Sequence, residues 1–139
     1  MTARTGERTP RPTVTITTFG YGHPEGVPEA HITIDLRRHF RDPHTNPAMR
    51  YLTARDAEVR ATVLGTAGIG AVIWGAVAMV HAYLSGPSAA DVAVAVGCAG
   101  GRHRAATVGG AVAERLAGDL GDGAVVLVHR DLDKDVIAR

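Results

Sequence analysis

Asp91-Val92-Ala93-Val94-Ala95-Val96, followed at once by Gly97-Cys98-Ala99-Gly100-Gly101-Arg102-His103-Arg104, is the stretch that decides the fold. The first six residues are apolar on both faces after Asp91, which predicts a central strand covered by helices on each side. The glycines then open a loop, and from about His103 to Ala117 the chain reads as a helix. Downstream, Ala124-Val125-Val126-Leu127-Val128 predicts another buried strand, ending in His129-Arg130-Asp131. Upstream, Val14-Thr15-Ile16-Thr17-Thr18-Phe19 is β-branched and alternating and breaks at Gly20-Tyr21-Gly22, while His31-Ile32-Thr33-Ile34-Asp35-Leu36 repeats the pattern. Thr53 and Asp56 have the spacing of a helix N-cap and its acidic partner. Ile73, Trp74, Val77 and Val80 recur at helical spacing between about Ala71 and Leu84. Strands alternating with helices define an α/β protein with a mainly parallel sheet flanked by helices.

The 139 residues suit one domain, read as residues 13–139 behind a disordered arm at residues 1–12. Arg4, Arg8 and Arg11 in that arm could add weak RNA contacts, though a solvated tail is the commoner meaning of such a run. With 15 Lys+Arg against 14 Asp+Glu the net charge is +1, so any anion site must be local. Cys98 is the single cysteine, which excludes a disulfide framework and a zinc site of paired cysteines, and points to the cytoplasm. Lys134 is the one lysine, so no Walker A loop can form. Residues 61–90 carry no formal charge and are long enough to span a membrane. Gly65, Gly68 and Gly70 interrupt them and Ser85-Gly86-Pro87 ends them, so the reading is a helix buried in the domain, with no membrane partner.

The glycine loop carries the chemistry. Glycines let backbone N–H groups approach an anion, the next helix adds its N-terminal partial charge, and arginine supplies a planar fork for phosphate oxygens. Phosphate binding at Cys98 to Arg104 is therefore the expectation. Cys98 and Arg104 also have the Cys-x5-Arg spacing of cysteine-dependent phosphatases, which makes a phosphatase or phosphotransferase the alternative, with Cys98 as nucleophile. Asp42 or Asp131 would then be the general acid. Ala105 stands where such enzymes normally place a hydroxyl, and the plain alternative is Cys98 as a small residue closing the strand.

This loop, with Val14 to Gly20, Asp35-Leu36-Arg37, Asp42-Pro43-His44, Leu52-Thr53 and His129-Arg130, resembles the C-terminal domain of the RNase adapter protein RapZ family over about residues 13–139. The resemblance implies a fold similar to 6-phosphofructokinase, binding of an amino-sugar phosphate and of small regulatory RNA, self-association, and no cofactor or catalysis. It implies ligand contacts at Cys98, Gly100, Gly101, Arg102, His103, Arg104, Asp35, Arg37 and His44. RNA contacts are implied at His44, His103, Arg104, His129 and Arg130. The chain departs from the family at Ala99, Arg102 and Ala105, where threonine, lysine and serine are usual.

Arg37, Arg38, His39, Arg41, His44, Arg102 to Arg104, His129 and Arg130 all fall at or after strand ends, so a parallel sheet would gather them into one patch. His39, Asp42 and His44 lie close in sequence, but arginines crowd them and no metal is expected. His81 reads as a core histidine; His31 and His23 carry no argument. The apolar helix over 71–84 predicts a homodimer or higher homo-oligomer if part of it reaches the surface.

Overall fold

Val14 and Val92 sit side by side in neighbouring parallel strands, and the rest of the sheet follows from that register. In the computed structural model, which describes residues 13–88 and 90–138, β1 (Val14–Gly20) and β3 (Val92–Cys98) form the centre of a four-stranded sheet. The arm over residues 1–12, with Arg4, Arg8 and Arg11, lies outside the described residues. β2 (Ile32–Asp35) pairs with the far side of β3 and β4 (Val125–His129) with the far side of β1, giving the order β2-β3-β1-β4 with every pairing parallel. Parallel pairing brings all four C-terminal ends to one edge: Gly20 is opposite Cys98, Asp35 opposite Gly97, and His129 opposite Thr18.

Three helices, α1 (Ala57–Leu64), α2 (Ile69–Leu84) and α3 (Arg104–Leu120), complete the domain. Asp56 is the N-cap of α1, so the helix starts later than the Thr53 spacing suggests. Its carboxylate accepts the Thr53 N–H at 2.9 Å and the Thr53 hydroxyl accepts the Arg55 N–H at 3.1 Å, which closes a turn before the first helical residue. α1 and α2 meet at 85°, with Gly68 at φ +92° as the N-cap of α2. Among the described residues no single helix is long and apolar enough to cross a membrane, although this bent pair passes by length and composition.

Val14, Ile16, Val92, Val94 and Val96 share one buried core with Val59, Val63, Ile69, Val77, Val80, Val108, Val112 and Leu116. Each such side chain contributes about 1.5–3 kcal/mol on burial. A Cβ on Gly109 would fall 2.2 Å from Thr18 Cγ2, so α3 lies directly on β1. All three helices thus pack on one face of the sheet. Ala93 and Ala95 point to the other face and lie outside this core, so the expected helical cover of β3 on both sides is corrected to one. β4 is also corrected, from a buried strand to an exposed edge: Val126, Leu127 and Val128 are 38–48% exposed. An unbroken apolar run does not distinguish a central strand from an edge one. Nor is α2 fully buried: Trp74, Met79 and Tyr83 are exposed, with Trp74 on the opposite side of the helix from Tyr83.

Candidate anion site at the strand ends

After β3 the chain turns back across the end of β1. A Cβ on Gly20 would meet the Gly100 carbonyl carbon at 2.3 Å, and one on Gly101, whose φ is +80°, would meet the Gly20 nitrogen at 2.8 Å. Only glycines allow this backbone contact. The Tyr21 N–H donates to Cys98 O at 2.8 Å and the Gly22 N–H to Ala99 O at 3.0 Å, which fixes the crossing. Cys98 is buried, and its Sγ accepts from the Gly101 N–H at 3.3 Å and the Ala105 N–H at 3.4 Å. Two amides of the loop are therefore turned onto the thiol, not onto open space.

The three basic residues that follow do different work. Arg104 is 2% exposed. Its Nη1 donates to Leu36 O (2.8 Å), Arg37 O (3.0 Å) and Phe40 O (3.3 Å), and its Nη2 lies 3.2 Å from Asp42 Oδ2. Asp42 in turn accepts the His44 N–H and caps the short 3-10 turn Pro43–Thr45. Arg104 therefore pins the whole β2 exit loop to the start of α3. Arg102 reaches the other way: Nη1 donates to Lys134 O at 2.6 Å and Nη2 to Tyr51 O at 3.0 Å. In both arginines the Nε is buried with no hydrogen-bond partner among the described residues. His103 Nε2 stands 2.8 Å from Leu52 O and 3.1 Å from Met49 O; two carbonyls require that this nitrogen carry the proton. Burial pushes the His103 pKa below the usual histidine value, against the pull of those carbonyls and of Asp42.

Asp42, His44, Cys98, Arg102, His103 and Arg104, with Gly100, Val136 and Ile137, enclose a cavity of about 10 Å³. That is room for one water or one oxygen atom. Beside it lies a cleft of about 760 Å³ lined by Thr45, Arg50 and Tyr51, and the two spaces share His44, Val136 and Ile137. Of the residues expected at the site, the fold brings Cys98, Gly100, Arg102, His103, Arg104 and His44 together around this cavity.

Other expected site residues go elsewhere. Asp35 and Arg37 reach the same edge but pair with each other at 2.7 Å, and the Arg37 guanidinium stacks on Tyr21 at 3.7 Å. Gly101 serves the backbone crossing. His129 Nδ1 is 2.7 Å from Thr18 Oγ1, and the ring lines a separate depression with Arg55 and Arg60. Arg130 holds Asp131 through two nitrogens and donates to Gly26 O.

Asp131 is fully buried and accepts from the Gly20 N–H at 2.7 Å, from Arg130 and from Lys134. Burial pushes its pKa up, but Arg130, Lys134 and the Gly20 amide together outweigh that and hold it at about 2. A carboxylate ionised at every physiological pH does not donate a proton, so Asp131 is no general acid. Among the described residues, His23, Glu25 and Asp131 are the group close enough to share a metal ion. The Lys134 ammonium already pairs with both carboxylates there, which fills the place of a cation. Lys134, Tyr51, Val136 and Ile137 were not read from the sequence as site residues; the one available signal was that Lys134 is the sole lysine.

The protein is thus of the parallel α/β class, with a glycine crossing and two arginines whose Nε atoms are buried at the C-terminal edge of the sheet, the edge at which open α/β sheets hold their ligands. The chain belongs to the RapZ C-terminal domain family, whose model matches residues 12–133. It is similar to a nucleotide-binding protein of Thermus thermophilus, 40% identical over 130 residues, which cover 84% of this chain and 41% of that protein. Nucleotide-binding proteins of Rhodococcus erythropolis and Rubrobacter xylanophilus are each 34% identical, with 88% of this chain and 41% of theirs covered. The chain thus spans about two-fifths of the length of these curated relatives.

Proposed function

We propose that this domain binds a phosphorylated small molecule of the amino-sugar phosphate class, with its phosphate in the cavity between Arg102, His103 and Arg104. The observation that carries the reading is that Arg102 and Arg104 both line one cavity and that the buried Nε–H of each has no acceptor among the described residues. A buried donor left unsatisfied costs about 1–3 kcal/mol, more when charged, and an anion or its water would recover that. Family membership supports the same ligand class, and a 6-phosphofructokinase-like frame, with phosphate held at the strand ends, is part of this reading. The domain acts as a binding module: both Arg104 Nη groups are committed to the protein, and Asp131 offers no proton.

Regulatory RNA is the second partner in this reading. His103 and Arg104 are too deeply buried to meet a macromolecule, so the RNA surface would be the exposed Arg38, His39 and Arg41, in the loop that leaves β2, beside the cleft carrying Arg50. Self-association belongs to the proposal too, through the exposed side of α2 that carries Met79 and Tyr83.

Calorimetric titration with an amino-sugar phosphate, set against the unphosphorylated amino sugar, tests the ligand class. Binding of the phosphorylated form alone is expected, weakened by about 1.5–3 kcal/mol in Arg102→Ala. Equal affinity for both sugars would contradict a phosphate site.

A further inference from the structure

We propose that residues 135–138 form a movable strap whose Val136 and Ile137 divide the anion cavity from the neighbouring cleft, and that a phosphomonoester must displace the strap to bind. The inference rests on the phosphate reading above and says how the ligand enters and where its organic part lies.

The two spaces have very different sizes. The cavity beside Arg102 and Arg104 holds about 10 Å³, enough for one oxygen atom and too little for a phosphate with four. The cleft on the other side of Val136 and Ile137 holds about 760 Å³. Removing the partition joins a buried cationic end to an open end that carries Thr45, Arg50 and Tyr51, a set of hydroxyl and guanidinium groups suited to the body of a polar phosphomonoester.

The way the strap is held changes abruptly along the chain. Lys134 is fastened at several points: its N–H donates to Asp131 O, its carbonyl accepts from Arg102, and its ammonium pairs with Glu25 and Asp131. Beyond it, residues 135–138 make no hydrogen bond to any described residue. They rest on side-chain packing, in which Ile137 Cδ1 lies so close to Gly22 that a Cβ there would meet it at 2.8 Å. Val136 and Ile137 are partly buried; lifting them breaks no backbone hydrogen bond to a described residue, and the apolar surface they cover is what holds the strap closed. Lys134 is the natural pivot. A site closed in most molecules binds with an affinity reduced by the fraction that is open.

Ile137→Ala removes the side chain that seats the strap and leaves every polar group of the cavity in place. Inorganic phosphate, titrated by calorimetry into wild type and Ile137→Ala, should bind the variant about 3- to 10-fold more tightly, because less of the protein is closed. In wild type labelled at isoleucine methyls, phosphate should move the Ile137 δ1-methyl resonance to the position of an exposed isoleucine. Phosphate that binds both proteins equally, with the Ile137 methyl unmoved, overturns the strap and leaves the anion site intact. Phosphate that binds neither protein overturns the strap and the anion site together.

Discussion

Gly20 and Gly100 are in backbone contact: a Cβ on the first would lie 2.3 Å from the carbonyl carbon of the second. The end of β1 is thereby locked beneath the loop that forms the anion cavity, and Asp131 completes the lock by accepting the Gly20 N–H. Gly20→Ala should therefore force the loop outward, costing about 1–3 kcal/mol in the manner of an overpacked core. A lowered urea midpoint with an unchanged slope is the expected result.

Arg104 is a structural arginine, buried among partners from the β2 exit loop. Arg104→Ala would take the shared donor from Leu36 O, Arg37 O and Phe40 O and the cation from beside Asp42, leaving a buried gap, and the expected loss is about 3–5 kcal/mol, the scale for breaking a buried ion pair. Arg37→Ala removes an exposed, solvent-screened pair with Asp35 and should cost far less. Equal melting temperatures for the two variants would show that Arg104 does not anchor the β2 exit loop.

Acid should destabilise the domain in two stages. The His103 pKa is depressed in the folded state, so as pH falls below the ordinary histidine value the unfolded chain gains a proton that the folded one refuses, and stability drops. His103→Asn should flatten thermal stability between about pH 7.5 and 5.5 relative to wild type. Asp131 acts lower down: its folded pKa of about 2 lies below its unfolded value, so its contribution, about 2 kcal/mol, is complete above pH 4 or so and disappears as pH falls through 2. Asp131→Asn should remove the lower stage and leave the upper one.

Strand identity, parallel order and the edge at which the loops gather were legible because β-branched runs, glycines and strand-helix alternation act locally. What each cation does was not. Arg102, Arg104 and Arg130 look alike in sequence, yet Arg130 is consumed by Asp131 and by Gly26 O, 104 residues away, Arg104 by three carbonyls and Asp42, and Arg102 by Lys134 and Tyr51. The exposure of β4 escaped for a related reason: Val125 to Val128 is as apolar as a central strand, and only the sheet order reveals that nothing pairs on its outer side. The Cys-x5-Arg spacing was real, but the loop aims its Gly101 and Ala105 amides at a thiol that is itself buried.

The position of a bound anion tests the central claim most directly. In crystals of the domain grown with an amino-sugar phosphate, the phosphate should lie with an oxygen at about 2.7–3.2 Å from the Nε of Arg102 or Arg104. The sugar should occupy the cleft beside Arg50 and Tyr51. An ordered phosphate elsewhere on the surface, with the cavity between Cys98 and Arg104 unchanged, would contradict the account.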